Sequence, residues 1–393
     1  MDLSRFGPNF KRVFLASLFE QISFALFVHF PGYLADLGVT EGRIGVLFSV
    51  SAVIGLASRP LMGRVLDLVH RRTVLLAAGA MEVGLLMAFL TTSTWGPWLW
   101  AVFLVYRVIQ MSLFTTMLTY GADSLPMATR TQGLALFGLA GLGPIAISGV
   151  LGDFVIGISG FDSLFLLAAV MSLASFATVW TLPTLPVRGQ QPRRSFWKAL
   201  TQRNLLPLWF ATMLFALGVE ALFTFARTYV DERQIGTAGL LFGVYGVTAA
   251  ATRIAGGRNY DRLPHRPLLV GATIVYGFGL GLLAVASGLV TFVSGAALAG
   301  ASHGVAFPLL SSEVVNRARV AERGSAMTTF TSIFDVALLL GAPAVGFLIE
   351  GFSYTAGFGV TAIVIAAGAG AYTLWDRRLV RSSAPLVAEE VLE

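Results

Sequence analysis

The sequence predicts an all-α polytopic membrane protein, with twelve transmembrane helices in two related six-helix bundles and both termini in the cytoplasm. Three observations carry that prediction. Charge is scarce: 56% of the 393 residues are hydrophobic and 12% are charged, about half the charged fraction of a soluble domain. Mean hydropathy is +0.77, so a water-facing surface cannot be covered, whereas lipid accepts an apolar outer face. Apolar runs long enough for roughly 30 Å of hydrocarbon recur along the whole chain. Finally, one charged cluster occurs twice. Arg59-x3-Gly63-x3-Asp67-x3-Arg71-Arg72 returns 194 residues later as Arg253-x3-Gly257-x3-Asp261-x4-Arg266, each copy lying between two apolar runs. Such a repeat marks a membrane fold built from two similar halves.

Taken in order, the first six spans are 11–34, 42–65, 73–93, 97–121, 131–152 and 162–184, which define a first bundle over 1–184. No A-x-A cleavage site follows the first run, so it reads as a retained helix and not as a signal peptide. Residues 185–203, rich in Pro, Gln and Arg, form a cytoplasmic connector. The second bundle, 204–376, holds 204–230, 237–257, 266–287, 290–316, 324–350 and 354–376. The polar residues 377–393 are expected to be a disordered cytoplasmic tail.

Topology follows from the basic residues. Arg5, Lys11 and Arg12 open the chain, and Arg64, Arg71 and Arg72 follow the second span. Arg188, Arg193, Arg194, Lys198 and Arg203 fill the connector. Arg258, Arg262, Arg266, Arg317, Arg319, Arg323, Arg377, Arg378 and Arg381 complete the pattern. Arg43, Arg227 and Arg233 fall on the opposite side and Arg107 lies within a span, leaving 23 of the 27 basic residues at or near one face. Trp95, Trp98 and Trp100 mark an interfacial belt on the other.

Several functions are excluded. The net charge of +6 is explained by topology and does not call for a nucleic-acid partner. Without cysteine there is no disulfide, thiol nucleophile or Cys-ligated metal. The glycines are scattered through apolar runs, which is helix packing and not a phosphate loop. Only four histidines occur, none near another in sequence, and the predicted loops are too short for a catalytic or ligand-sensing domain. A membrane enzyme or sensor is therefore a distant alternative, and no metal or cofactor is expected.

With six plus six spans, a basic connector and the duplicated cluster, the chain resembles the major facilitator superfamily over nearly its whole length. Gly63-x3-Asp67-x3-Arg71-Arg72 matches the family's signature after the second helix, with His70 where glycine is usual and Leu68 where a basic residue is common. Arg107-x2-Gln110 resembles the fourth-helix motif of proton-coupled members, with Met111 in place of glycine. Gly138-x2-Gly141-x-Gly143-Pro144-x4-Gly149 resembles the fifth-helix motif of the antiporter branch, echoed by Gly341-Ala-Pro343-x2-Gly346. Asp123-x2-Pro126-x3-Arg130-x2-Gly133 is similar to bacterial twelve-helix exporters of drugs and metabolites. The resemblance implies a proton-driven antiporter exporting a small organic molecule by alternating access. Uptake by a proton symporter or facilitator is the nearest alternative. Substrate, proton and bilayer are the implied partners, in a monomer. The preference for Arg over Lys points to a GC-rich bacterium and its inner membrane.

The duplicated clusters read as cytoplasmic gates. Gly63 and Gly257 allow close helix approach, Asp67 and Asp261 suit positive helix ends, and the neighbouring arginines, including Arg59, Arg253 and Arg130, are placed to reach Asp123 and Glu313. Charges within spans mark function more directly. Glu20 lies nine residues beyond Lys11, about 14 Å deep, and Arg107 ten beyond Pro97, about 15 Å from the other face. In the family the first and fourth helices flank the cavity, which implies a Glu20–Arg107 pair oriented by Gln21 and Gln110; a static salt bridge is the alternative. Met111 and Phe114 lie a turn or two away. Phe19, Phe24, Phe27, Phe30, Phe215, Phe223 and Phe225 line an apolar cavity or are ordinary filler. His303 and Asp335 sit near mid-depth and form a possible titrating pair. Glu220 and Arg227, two turns apart, with His29 at similar height, form an outer gate or a fixed network. Glu82 is expected in a local structural pairing.

Overall fold

The computed structural model describes residues 6–125, 137, 141–185, 199–256, 263–319 and 322–390, with positions 63, 67 and 379–390 described by backbone alone. Gly257, Asp261, Arg130, Gly138 and the connector residues 186–198 lie outside the described residues. Every regular element among those described is helical, and eleven helices are long and apolar enough to cross a membrane. They are α1 (Pro8–Asp36), α2 (Glu41–Leu68), α3 (Arg71–Ala88), α4 (Pro97–Asp123), α5 (Leu142–Trp180), α6 (Leu206–Arg233), α7 (Ala238–Gly256), α8 (His265–Ala284), α9 (Leu289–Arg317), α10 (Arg323–Gly351) and α11 (Tyr354–Glu390).

α5 accounts for the difference from twelve expected spans. It is 39 residues long, about 58 Å if straight, and so covers most of the fifth and sixth predicted segments. Ser159 and Gly160 break it, Gly160 at φ 74°, a left-handed conformation that costs a Cβ-free residue nothing. Ser163 closes the corner by donating to the carbonyls of Gly160 (2.6 Å) and Val155 (2.8 Å). The stretch after residue 152, expected to be a loop, is therefore helix, which places Asp153 inside α5. α1 has a gentler interruption, a 3₁₀ turn at Phe27–His29. Pro31 has no N–H to give the Phe27 carbonyl, and Phe30 N–H donates there instead. The expected disordered tail is also corrected: helix continues to Glu390, in a stretch rich in the strong helix formers Arg, Leu, Ala and Glu.

The chain forms two compact units. One gathers α1–α5 together with Thr224–Val247, the C-terminal end of α6 and the first half of α7. The other comprises α6 up to Phe223, α7 from Thr248, and α8–α11. The units thus depart from the sequence repeat only at Thr224–Val247.

Inside the first unit the seams are polar and small. Ser23 on α1 donates to the Ala168 carbonyl (2.9 Å) and Ser148 on α5 to the Ile22 carbonyl (3.0 Å). Phe27, Phe30, Phe89, Phe103, Tyr106 and Phe165 pack as a buried aromatic core, with stacked pairs Phe27–Tyr106 (4.3 Å) and Phe30–Phe103 (4.8 Å). Phe27 and Phe30 are accordingly packed inside the bundle. In the second unit Phe215 is likewise fully buried, against Tyr276 and Phe334. Gly279 and Gly295 bring α8 and α9 so close that a Cβ on Gly279 would lie 2.8 Å from Ala299 N. Lipid gives helices no hydrophobic reason to associate, so such close packing and interhelical hydrogen bonds hold them together.

Candidate functional site

Glu20 and Glu82 form a fully buried polar cluster in the first unit. Glu20 sits on the bundle-facing side of α1 and Glu82 midway along α3, 1% and 0% exposed. Their carboxyls face one another, and Ser172 of α5 donates to Glu82 Oε2 at 2.6 Å. Oε1 of each glutamate and the Tyr106 hydroxyl are buried with no hydrogen-bond partner among the described residues. The Glu20–Arg107 pair expected from the sequence is not formed. Arg107 instead places its guanidinium over the Phe24 ring, 5.5 Å from the centroid. The local pairing expected of Glu82 is present, but its partner is Glu20, which sequence depth alone did not connect to it.

A second cluster lies at the end of α1 remote from Pro8. Arg227 Nε contacts Asp231 Oδ2 at 2.7 Å and its Nη1 lies 3.3 Å from Asp153 Oδ1. The same Nη1 reaches His29 Nδ1 at 3.3 Å, while His29 Nε2 is 3.0 Å from the Gly149 carbonyl. A carbonyl only accepts, so the network assigns the proton to Nε2 and leaves Nδ1 to accept from Arg227. Gly152 seats the imidazole: a Cβ there would lie 2.3 Å from the ring. Asp153 Oδ2 accepts from Gly239 N–H at 2.5 Å, where the positive end of α7 favours an anion. Gly149, Gly239 and Gly246 let α5 and α7 approach, Gly246 within 2.7 Å (from a built Cβ) of the Ala146 Cβ. Arg227 and His29 therefore meet as expected. Asp153 was missed because it was read as lying just beyond its span; a lone carboxylate in the apolar run Gly149–Ile158 was the available signal.

At the opposite end Arg71 Nε lies 3.1 Å from Asp123 Oδ2. Arg71 also donates to the Leu66 carbonyl and Arg72 to the Trp180 carbonyl, capping α2 and α5. The α2 backbone is helical through Gly63 and Asp67. In the second unit the corresponding corner differs from expectation. His265 Nδ1 donates to Glu313 Oε1 (2.7 Å), and Arg317 donates to Glu313 Oε2 (2.9 Å). Arg266 goes instead to Asp376 Oδ2 (2.5 Å), whose Oδ1 is held by Arg317 (2.5 Å).

The remaining predicted residues lie on α1, α2, α4, α5, α6, α7, α9 and α10. His303 packs edge-on to Phe215 (5.2 Å) and beside Phe307 (5.8 Å), with the Arg253 guanidinium 5.8 Å above Phe307. Asp335 is buried on α10, and Arg59, Gln21 and Glu220 are partly exposed. Gln110 is buried, Met111 half-buried and Phe114 exposed on α4. Of the packing motif, Gly141 stands in the turn before α5, Gly143 and Pro144 in its first turn, and Gly149 against Phe242. Gly341 in α10 packs on Leu217, with Pro343 and Gly346 following in the same helix.

The sequence profile described as Major Facilitator Superfamily matches residues 13–258 and 208–390. An uncharacterized MFS-type transporter of Burkholderia mallei (strain SAVP1) is 28% identical over 372 residues, spanning 90% of this chain and 88% of its own length. The crystal structure of the nucleoside transporter NupG is similar with a TM-score of 0.75 at 14% identity, covering 94% of this chain and 99% of that one. The crystal structure of the human organic anion transporter MFSD10 (TETRAN) is similar with a TM-score of 0.70 at 18% identity, covering 93% and 98%.

Proposed function

Since the chain belongs to the Major Facilitator Superfamily and so transports across a membrane, we propose that it is a proton-coupled antiporter exporting a small organic molecule from a bacterial cytoplasm by alternating access. Counting the two arms of α5 separately gives twelve crossings. An even number puts both termini on one side, the cytoplasmic one by the distribution of arginines. The clusters at Arg71–Asp123 and Glu313–Asp376 then lie at the cytoplasmic ends, and His29–Asp153–Arg227 at the outer ends. The outer contact joins α1 and α5 to the ends of α6 and α7, so it must break whenever the outer side opens.

The observation that carries the coupling is the Glu20–Glu82 pair. Two ionised carboxylates side by side in a low-dielectric interior repel strongly, and no described basic residue forms an ion pair with either. A single proton held between the two carboxyls relieves that repulsion. A proton shared by two carboxyls is released when a helix movement separates them or admits water, which is what coupling requires. Ser172 supplies a hydroxyl that donates to Glu82 and so helps to hold the remaining charge.

Proteoliposomes with an internal pH dye test this. Addition of a transported compound should move protons in the opposite direction, and Glu20→Gln should abolish that flux while leaving counterflow exchange of substrate intact. Substrate movement unaffected by a pH gradient, in both wild type and Glu20→Gln, would overturn the coupling. Proton and substrate moving together would identify the uptake reading instead.

A further inference from the structure

We infer that Arg107 and the face of α4 that follows it bind the anionic head and apolar body of an organic anion, making the transported compound a carboxylate or comparable anion. The inference rests on the transport reading above and names its substrate class. Arg107 lies ten residues into α4, about 15 Å from Pro97 and so at the middle of roughly 30 Å of hydrocarbon. A guanidinium at that depth is costly and is ordinarily paired. Here no acidic side chain among the described residues forms an ion pair with it; Glu20, the partner that depth suggests, is turned onto Glu82. The cation–π contact with Phe24 at 5.5 Å offsets only part of the desolvation.

The side chain is partly exposed. Exposure to lipid at mid-depth would be the least favourable arrangement, so its open side faces a water-accessible route. The missing counter-charge then arrives with the ligand.

The surroundings fit such a ligand. Arg107, Gln110, Met111 and Phe114 follow one another at i, i+3, i+4 and i+7, a single face of α4 about 10 Å long. It starts with a charge, continues through a buried amide and a half-buried thioether, and ends in an exposed ring. Gly55 of α2 leaves room beside Met111, whose Cε would lie 3.3 Å from a Cβ at that position. A planar guanidinium over a ring presents its edge for bidentate contact with a carboxylate. The arrangement divides labour: the two glutamates hold the proton, which frees the arginine for substrate.

The test is calorimetric binding to the full chain in nanodiscs, using aryl carboxylates of one to three rings, each beside its carboxamide and its arylmethylammonium counterpart. At least one carboxylate should bind, with its amide about tenfold to a hundredfold weaker and the ammonium weaker still. Arg107→Gln should reduce that carboxylate to the affinity of its amide, and Arg107→Lys should retain part of the preference. Carboxylate and amide binding alike, wild-type affinity in Arg107→Gln, or no carboxylate binding at all would each overturn the assignment. An indicator dye in unbuffered solution separates it from the coupling. Arg107-dependent binding without proton exchange would sink the antiport reading alone. Proton exchange driven by cationic compounds and unchanged in Arg107→Gln would sink this one alone.

Discussion

The two copies of the duplicated cluster start from nearly the same residues and end in different electrostatics. In the first, Arg71 and Asp123 approach to 3.1 Å, yet neither facing atom is hydrogen-bonded. In the second, His265, Arg266 and Arg317 make four charge-assisted hydrogen bonds to Glu313 and Asp376, at 2.5–2.9 Å. The difference comes from two residues. Position 265 carries histidine where Arg71 stands in the first copy, and Asp376, almost fully buried near the polar end of α11, has no counterpart in the described first-unit contacts. The first corner is a single skewed pair; the second is a mesh linking α8, α9 and α11. Duplication preserved the position of the corner without preserving its strength.

The comparison breaks most visibly at Asp376. Asp376→Asn leaves Arg266 and Arg317 without their shared carboxylate, and removing one partner from a buried ion pair costs about 3–5 kcal/mol. The apparent melting temperature of the purified full chain should fall clearly. A change no larger than that of a surface substitution would show that the mesh does not hold the second unit together.

Asp123→Asn is the matched change in the first unit. Its pair is partly exposed and lacks hydrogen bonds, so the loss should be about 1 kcal/mol. Measured side by side, the melting temperatures should order as wild type, Asp123→Asn, then Asp376→Asn. If Asp123→Asn proved the more damaging, the reading of the first corner as the looser one would be reversed.

Why sequence found the corners but not their wiring is visible in particular residues. The repeat, with Asp123 and Glu313 as acidic targets, was legible because spacing within one helix fixes which side chains share a face. The register between helices is not written in that way. Glu20 was matched by depth with Arg107, whereas its neighbour is Glu82, on a helix whose rotation no single-helix pattern specifies. Arg266 was expected near Glu313 and reaches Asp376, because His265 already occupies the nearer carboxylate. Asp153 was hidden by a misplaced helix end, since the fifth span was closed at 152 whereas α5 runs on, with its break only at Ser159–Gly160. Twelve spans against eleven continuous helices reflects the same tight corner. Asp153 and Asp376 each lie within a residue of a predicted span end, where boundaries are least determined, whereas Glu20 and Glu82 lie mid-span.

The smallest expected effect sharpens the comparison most, because it asks whether residue 265 alone sets the second corner apart. An imidazole bears charge only when protonated, while guanidinium is charged at every accessible pH and offers a planar fork. His265→Arg would recreate the residue of the first copy opposite Glu313, a carboxylate already held on its other oxygen by Arg317. The His265 side chain is 23% exposed, so the gain is limited to about 0.3–1 kcal/mol. It should appear as a small rise in melting temperature in the wild-type background. In the Asp376→Asn background the rise should persist, because Glu313 and not Asp376 receives the new charge. A rise that vanished there would mean that both acids act as one site and that Asp376, not position 265, is the true source of the asymmetry.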